Sequence, residues 1–198
     1  FKEKLRHSDV IESFSGVRPL FDDGKGNPSA VTRDYVFDLD ETGGAPLLNV
    51  FGGKITTFRK LSEHALQRLA GFFPQMKGDW TAKAPLPGGD IPNADYETFF
   101  GQLRATYPWM PRDLATHYGR LYGTRASELI GNATSLDGLG RHFGGHLYEA
   151  EVHYLVRKEW AQTAEDVTWR RTKERLRMTE AQKAEFNAWF QQAFQQAA

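Results

Sequence analysis

A stretch rich in proline and glycine, residues 74 to 94, cuts the chain into two halves of different texture, and this break constrains the fold more than any other feature. Proline removes a backbone donor and fixes its own φ, so neither a long helix nor a central strand passes through such a segment. Before it the pattern is that of short strands. Val10 to Leu20 and Arg33 to Leu39 carry β-branched and aromatic residues in rough alternation, and the run from Asp22 to Pro28 between them is turn chemistry. Leu47 to Phe51 is an apolar run closed by Gly52 and Gly53, after which Phe58, Leu61, Ala65 and Leu69 recur at helical spacing. After the break the texture is helical to the end. Apolar faces recur at Phe99, Phe100, Leu103 and Tyr107, then over Pro111 to Tyr122, Leu147 to Ala161, and at Phe186, Trp189, Phe190, Ala193 and Phe194. Thr124 is placed to cap a short helix reaching Ile130, Ser135 to Gly145 reads as a loop, and Thr163 with Asp166 and Thr179 with Gln182 read as helix starts.

The expected fold is therefore mainly α: an all-helical C-terminal domain over residues 76–198, preceded by a short β-rich tail over residues 1–75. A helical half of that size can bury a core, whereas the β-rich part does not complete a sheet by itself. The hydrophobic share of 40%, with 13% aromatic, argues against disorder. Lysine and arginine number 25, as do aspartate and glutamate, so no basic excess is available for sequence-independent binding of nucleic acid. The absence of cysteine excludes disulfides and thiolate chemistry. The opening Phe1-Lys2-Glu3-Lys4 is neither a signal peptide nor a natural start, which gives the expectation that the chain is cut from a longer protein.

Chemistry concentrates in two places. In Phe51-Gly52-Gly53-Lys54-Ile55-Thr56-Thr57 a strand runs through two glycines into a helix start. Glycines permit close backbone approach, and a helix start presents free amides and partial positive charge, so Gly53, Lys54, Ile55, Thr56 and Thr57 suit an anionic or dipolar ligand. The plainer alternative is a tight turn with a capping threonine. In Ser15-Gly16-Val17-Arg18-Pro19-Leu20 the proline holds Arg18 extended, and Arg33 follows at the next strand. Two guanidinium forks suit a phosphate or carboxylate, although surface arginines paired with neighbouring acids have the same appearance.

The order SFSGVRPL, TRDY, LLNVFGGKITTFRKLSEHAL and then EAEVHYLVRKEWAQTAEDVTWRRTKERLRMT resembles the flavoprotein family of membrane-associated glycerol-3-phosphate dehydrogenases over nearly the whole chain. The family often has glycine where Arg175 stands. The resemblance implies a parent enzyme that oxidises sn-glycerol 3-phosphate to dihydroxyacetone phosphate, passes hydride to FAD and delivers electrons to quinone. The implied localisation is cytoplasmic and peripheral on the membrane. It places Arg18 and Arg33 on the substrate and Gly53, Lys54, Ile55, Thr56 and Thr57 at the flavin. The base and the glycine-rich dinucleotide motif fall upstream, so this stretch alone is expected to be inert and to retain no FAD. The competing class is a free-standing helical interaction module. An amino-acid-type oxidase with a carboxylate substrate shares the arginines but lacks the long helical tail.

Two further clusters carry plainer readings. His142 and His146, with Glu149 and His153 downstream, have metal-like spacing, yet Gly144 and Gly145 break the helix that would align them, so no metal site is expected. Arg170, Arg171, Lys173, Arg175 and Arg177 read as a solvated face paired with acids, contact with anionic lipid being the alternative.

Overall fold

A computed structural model of the chain describes residues 3–17, 21 and 32–195. It forms two compact units, Phe1–Ala84 and Pro85–Ala198. The structure is mainly α, as the periodicity implies. Among the described residues no helix is long and apolar enough to cross a membrane.

In the first unit β1 (Val36–Asp40) pairs antiparallel with β2 (Leu47–Phe51), with Val36 opposite Phe51 and Asp40 opposite Leu47. The strand begins three residues later than the alternation starting at Arg33 suggests. Val10 to Val17 forms no strand: Ile11, Phe14 and Val17 stand exposed, and among the described residues no neighbouring strand is present to share a ladder with them. The remainder of that expected strand, Arg18 to Leu20, and the turn from Asp22 to Pro28 lie outside the described residues. Helix α1 (Phe58–Leu69) turns Leu61, Ala65 and Leu69 to its half-buried side, while Phe58 is exposed. It runs on into a 3-10 turn over Ala70–Phe72 rather than stopping at Gly71.

The one fully buried side chain among the described residues of this unit is charged. Glu63 on α1 receives Arg59 at 3.1 Å, Lys60 at 3.0 Å and the hydroxyl of Thr81. With Gln67 holding Asp79 at 2.8 Å, these bonds bind the segment up to Ala84 to α1 and explain why it belongs with the first unit. The Thr81 hydroxyl and the Lys60 ammonium lower the Glu63 pKa from 4.5 to about 2. A depressed carboxylate contributes stability that is complete above its unfolded pKa and lost as the folded value is approached. Protection of α1 amides against hydrogen exchange should therefore fall between about pH 4.5 and 2. Glu63→Gln should flatten that dependence, and an unchanged acid profile in the variant would remove Glu63 as its cause.

The second unit has a real core. Helices α2 (Tyr96–Thr106), α3 (Arg112–Tyr122), α4 (Ala126–Ile130), α5 (Glu149–Glu159) and α6 (Glu180–Phe190) surround Leu114, Tyr118, Leu147, Val152, Leu155 and Phe186, all nearly inaccessible. Local chemistry sets several helix starts. Asp95 caps α2 through the Thr98 amide at 3.1 Å. Thr179 and Gln182 exchange side-chain-to-amide bonds of 3.2 and 2.9 Å at the start of α6. Thr163 and Asp166 do the same at 3.1 and 2.9 Å. Thr124 is no cap: its hydroxyl donates to Asp90, and a 3-10 turn over Gly123–Arg125 leads into α4.

Two local features were not foreseen. Within the expected loop, β3 (His142–Gly144) pairs with β4 (Leu147–Tyr148) and sets Phe143 against Phe186 and Trp189, with ring centroids 5.0 and 4.6 Å apart. Asp166–Arg171 is a π-helical turn, extended by the bond from the Thr172 amide to the Val167 carbonyl at 3.2 Å.

Candidate functional site

The first unit carries the glycine–lysine–threonine loop between β2 and α1. Gly52 and Gly53 take φ of 73° and 99°, the left-handed region that a side chain resists. Space also restricts Gly53, where a Cβ would stand 3.2 Å from Leu61 and 3.4 Å from Tyr35. Lys54 is extended and exposed, and Ile55–Thr57 forms one 3-10 turn before α1. The capping reading of the threonines does not hold. The Thr57 hydroxyl donates back to the Lys54 carbonyl at 2.8 Å, and no side chain caps either the 3-10 turn or α1. The helix start thus keeps its positive end uncapped by side chains, beside an exposed lysine. Arg33 is exposed just before β1. Arg18 lies outside the described residues, so the pairing of the two arginines is not part of the geometry.

The second unit contains a separate polar cluster that sequence inspection missed. His117 on α3 has Nε2 2.7 Å from Glu151 Oε1 on α5, and Tyr122 donates its hydroxyl to the same oxygen at 2.5 Å. Its Nδ1 lies 3.5 Å from Glu174 Oε1, and His146 Nδ1 lies 3.4 Å from that oxygen. The His146 amide donates to Glu174 Oε2 at 2.8 Å, and His146 Nε2 is 3.5 Å from Asp113. The two imidazoles stack with centroids 5.1 Å apart. Both Glu151 and Glu174 are essentially inaccessible, at 0% and 1%. Burial alone would depress the His117 pKa, but the hydrogen bond and charge of Glu151 together with the charge of Glu174 outweigh it, and the net shift is upward. A cleft of about 740 Å³ opens over the cluster, lined by Arg112, Asp113, Arg120, His117, His146 and Glu174 among others.

The histidines noted for their spacing, His142, His146 and His153, have different partners. His142 bonds the Gly145 carbonyl at 3.0 Å and stacks on Tyr148, and His153 sits beside Glu149 and Phe194. Only His146 of that group enters the cluster. The basic run after Arg170 is internally engaged. Arg170 pairs with Asp166 at 3.0 Å, Arg171 donates to the Glu159 carbonyl at 2.8 Å, and Lys173 and Arg175 lie over the Trp169 ring.

Residues 80–190 match the family model described as the C-terminal domain of alpha-glycerophosphate oxidase. The chain belongs to that family. The matched stretch takes in most of the helical unit of this glycerophosphate-oxidase-family chain. It is 70% identical over 98% of its length to a D-erythritol 1-phosphate dehydrogenase of Brucella abortus, and 45% identical over 99% to an aerobic glycerol-3-phosphate dehydrogenase of Escherichia coli. Similarity extends to a human mitochondrial glycerol-3-phosphate dehydrogenase, at 30% identity over 92% of the chain. The chain spans 38%, 39% and 25% of these relatives' lengths.

Proposed function

We propose that the chain is the C-terminal portion of an FAD-dependent dehydrogenase acting on a short polyol phosphate, sn-glycerol 3-phosphate or its four-carbon counterpart D-erythritol 1-phosphate, with quinone as electron acceptor at a membrane surface. Residues 1–75 would contribute to the flavin and substrate domain and residues 76–198 would form its helical companion. The observation that carries this reading is the uncapped helix start after Gly53, because free amides and an exposed Lys54 are what the anionic edge of a reduced flavin ring requires. FAD, when bound, accepts the hydride released as the substrate carbinol becomes a ketone. In this role Gly53 lets the backbone approach the ring, Ile55, Thr56 and Thr57 present the helix start, and Lys54 supplies charge. Arg18 and Arg33 would hold the phosphate through paired N–H donors and so fix which carbon faces the ring. The two candidate substrates share the phosphate and differ in polyol length. The 70% identity to the Brucella protein favours the four-carbon substrate over the three-carbon one.

The test uses the full-length parent. Turnover is compared with both polyol phosphates, and the flavin midpoint potential is measured in parent and Lys54→Met enzymes. Loss of the lysine charge should lower the potential by roughly 20 mV for each 1 kcal/mol of lost stabilisation of the reduced ring. An unchanged potential with normally bound flavin takes Lys54 out of the site, and turnover of neither compound sinks the substrate class.

A further inference from the structure

We propose that His117, His146 and Glu174 form a zinc-binding site with one open coordination position, built from α3, the β3–β4 turn and the residues after the π-helical turn. One nitrogen of each ring and one glutamate oxygen all lie within 4.8 Å of one another. Two of the distances have the length that a tetrahedral ion requires. Glu174 Oε1 stands 3.5 Å from His117 Nδ1 and 3.4 Å from His146 Nδ1, both long for a hydrogen bond. Zinc bonds of about 2.0–2.1 Å in a tetrahedron place neighbouring ligand atoms about 3.3–3.4 Å apart, so both observed edges are close to what the ion needs. An octahedral ion with bonds of similar length would draw them to roughly 3.0 Å.

The outer contacts point the same way. Each ring turns Nδ1 to the shared oxygen and Nε2 to a different carboxylate, His117 to Glu151 at 2.7 Å and His146 to Asp113 at 3.5 Å. Glu151, at hydrogen-bond distance behind His117, fixes the tautomer that leaves its inner nitrogen free to ligate, and Asp113 stands within ion-pair range behind His146, the usual kind of support for histidine at a metal. Charge agrees as well. Two carboxylates are almost fully buried here, and Glu151 Oε2 has no hydrogen-bond partner, so a divalent cation would relieve a concentrated negative charge. Arg177 approaches Glu174 Oε1 only to 3.8 Å and is itself half exposed, which leaves it free to move aside. Three protein ligands leave a fourth position for water in the cleft, where Arg112 and Arg120 would favour an anionic oxygen ligand on the ion.

The experiment strips the whole chain with a chelator and titrates it with Zn²⁺ by calorimetry, with Co²⁺ as the spectroscopic probe. The expected result is one ion per chain and a cobalt spectrum of tetrahedral intensity. Glu174→Gln and His146→Gln should abolish saturable binding. Asp113→Asn, a change at an exposed carboxylate that does not threaten folding, should weaken binding by about 10–100-fold. His153→Gln, outside the cluster, should leave the affinity unchanged. Absence of saturable Zn²⁺ binding by the parent chain overturns the proposal. So does Zn²⁺ affinity that is the same in Glu174→Gln, His146→Gln and Asp113→Asn as in the parent. Calorimetric binding of inorganic phosphate but not of Zn²⁺ by the parent chain would also overturn it and assign the cleft to an anion.

Discussion

Phe186→Ala should destabilise the helical unit by about 3–5 kcal/mol. The ring is completely inaccessible and touches Phe143, Trp189 and Phe190 at centroid distances of 5.0, 6.1 and 5.9 Å. Truncation removes apolar area and leaves a void whose walls belong to two different structures, α6 and the β3–β4 hairpin. The hairpin is only a few residues long and is held in the core by both Phe143 and the fully buried Leu147, so it cannot easily collapse into the space. Domains hold together by only about 5–15 kcal/mol, so the loss is a large share of the total. Chemical denaturation should show a much lower midpoint with an unchanged slope. Phe186→Leu, which refills most of the volume, should recover the greater part. A loss below about 1 kcal/mol for the alanine variant would mean that the aromatic cluster is not the core of this unit.

Gly145→Ala is the second large effect, at roughly 2–4 kcal/mol. Two costs combine. The residue has φ of 53°, where a side chain is strained, and its Cβ would press on the Glu174 carboxylate and come within 3.2 Å of Arg177 Cβ. An exposed carboxylate would swing away at little cost. This one is 1% accessible and takes the His146 amide at 2.8 Å, so displacing it leaves a buried charge and a buried donor unpaired. Thermal unfolding of the variant, beside Gly131→Ala, separates the costs, because Gly131 has a similar φ of 59° with open space around it. Equal losses at both positions would attribute the whole effect to backbone strain and none to Glu174.

Much of the fold was legible because its causes are local. Helical recurrence of apolar residues around Leu103, Leu114, Leu155 and Phe186, one in each of four helices, marks faces that the structure buries, and the reciprocal bonds of Thr179 with Gln182 need only three residues of context. Alternation over Val10 to Val17 misled because a strand requires a partner, and sequence pattern says nothing about one. The hairpin at His142 escaped because glycine content signals a loop and a pairing of so few residues adds almost no periodicity. The glycine–lysine–threonine loop was readable as a contiguous motif. The His117 cluster was not, since its members stand 28 and 29 positions apart and Glu174 was hidden in a basic run, where an acid looks like a solvated partner. A buried acid is signalled only by what surrounds it in space.

The π-helical turn at Asp166–Arg171 gives the cluster a dependence on chain length. Such a turn holds one residue more than an α-helical turn, and one residue of α-helix corresponds to about 100° of rotation. Deleting a residue there would restore ordinary spacing and carry the following backbone around the axis, away from both imidazoles, with every side chain of the cluster still encoded. At this turn, removing a residue is therefore a different kind of change from replacing one: it alters which way the later side chains face rather than what they are.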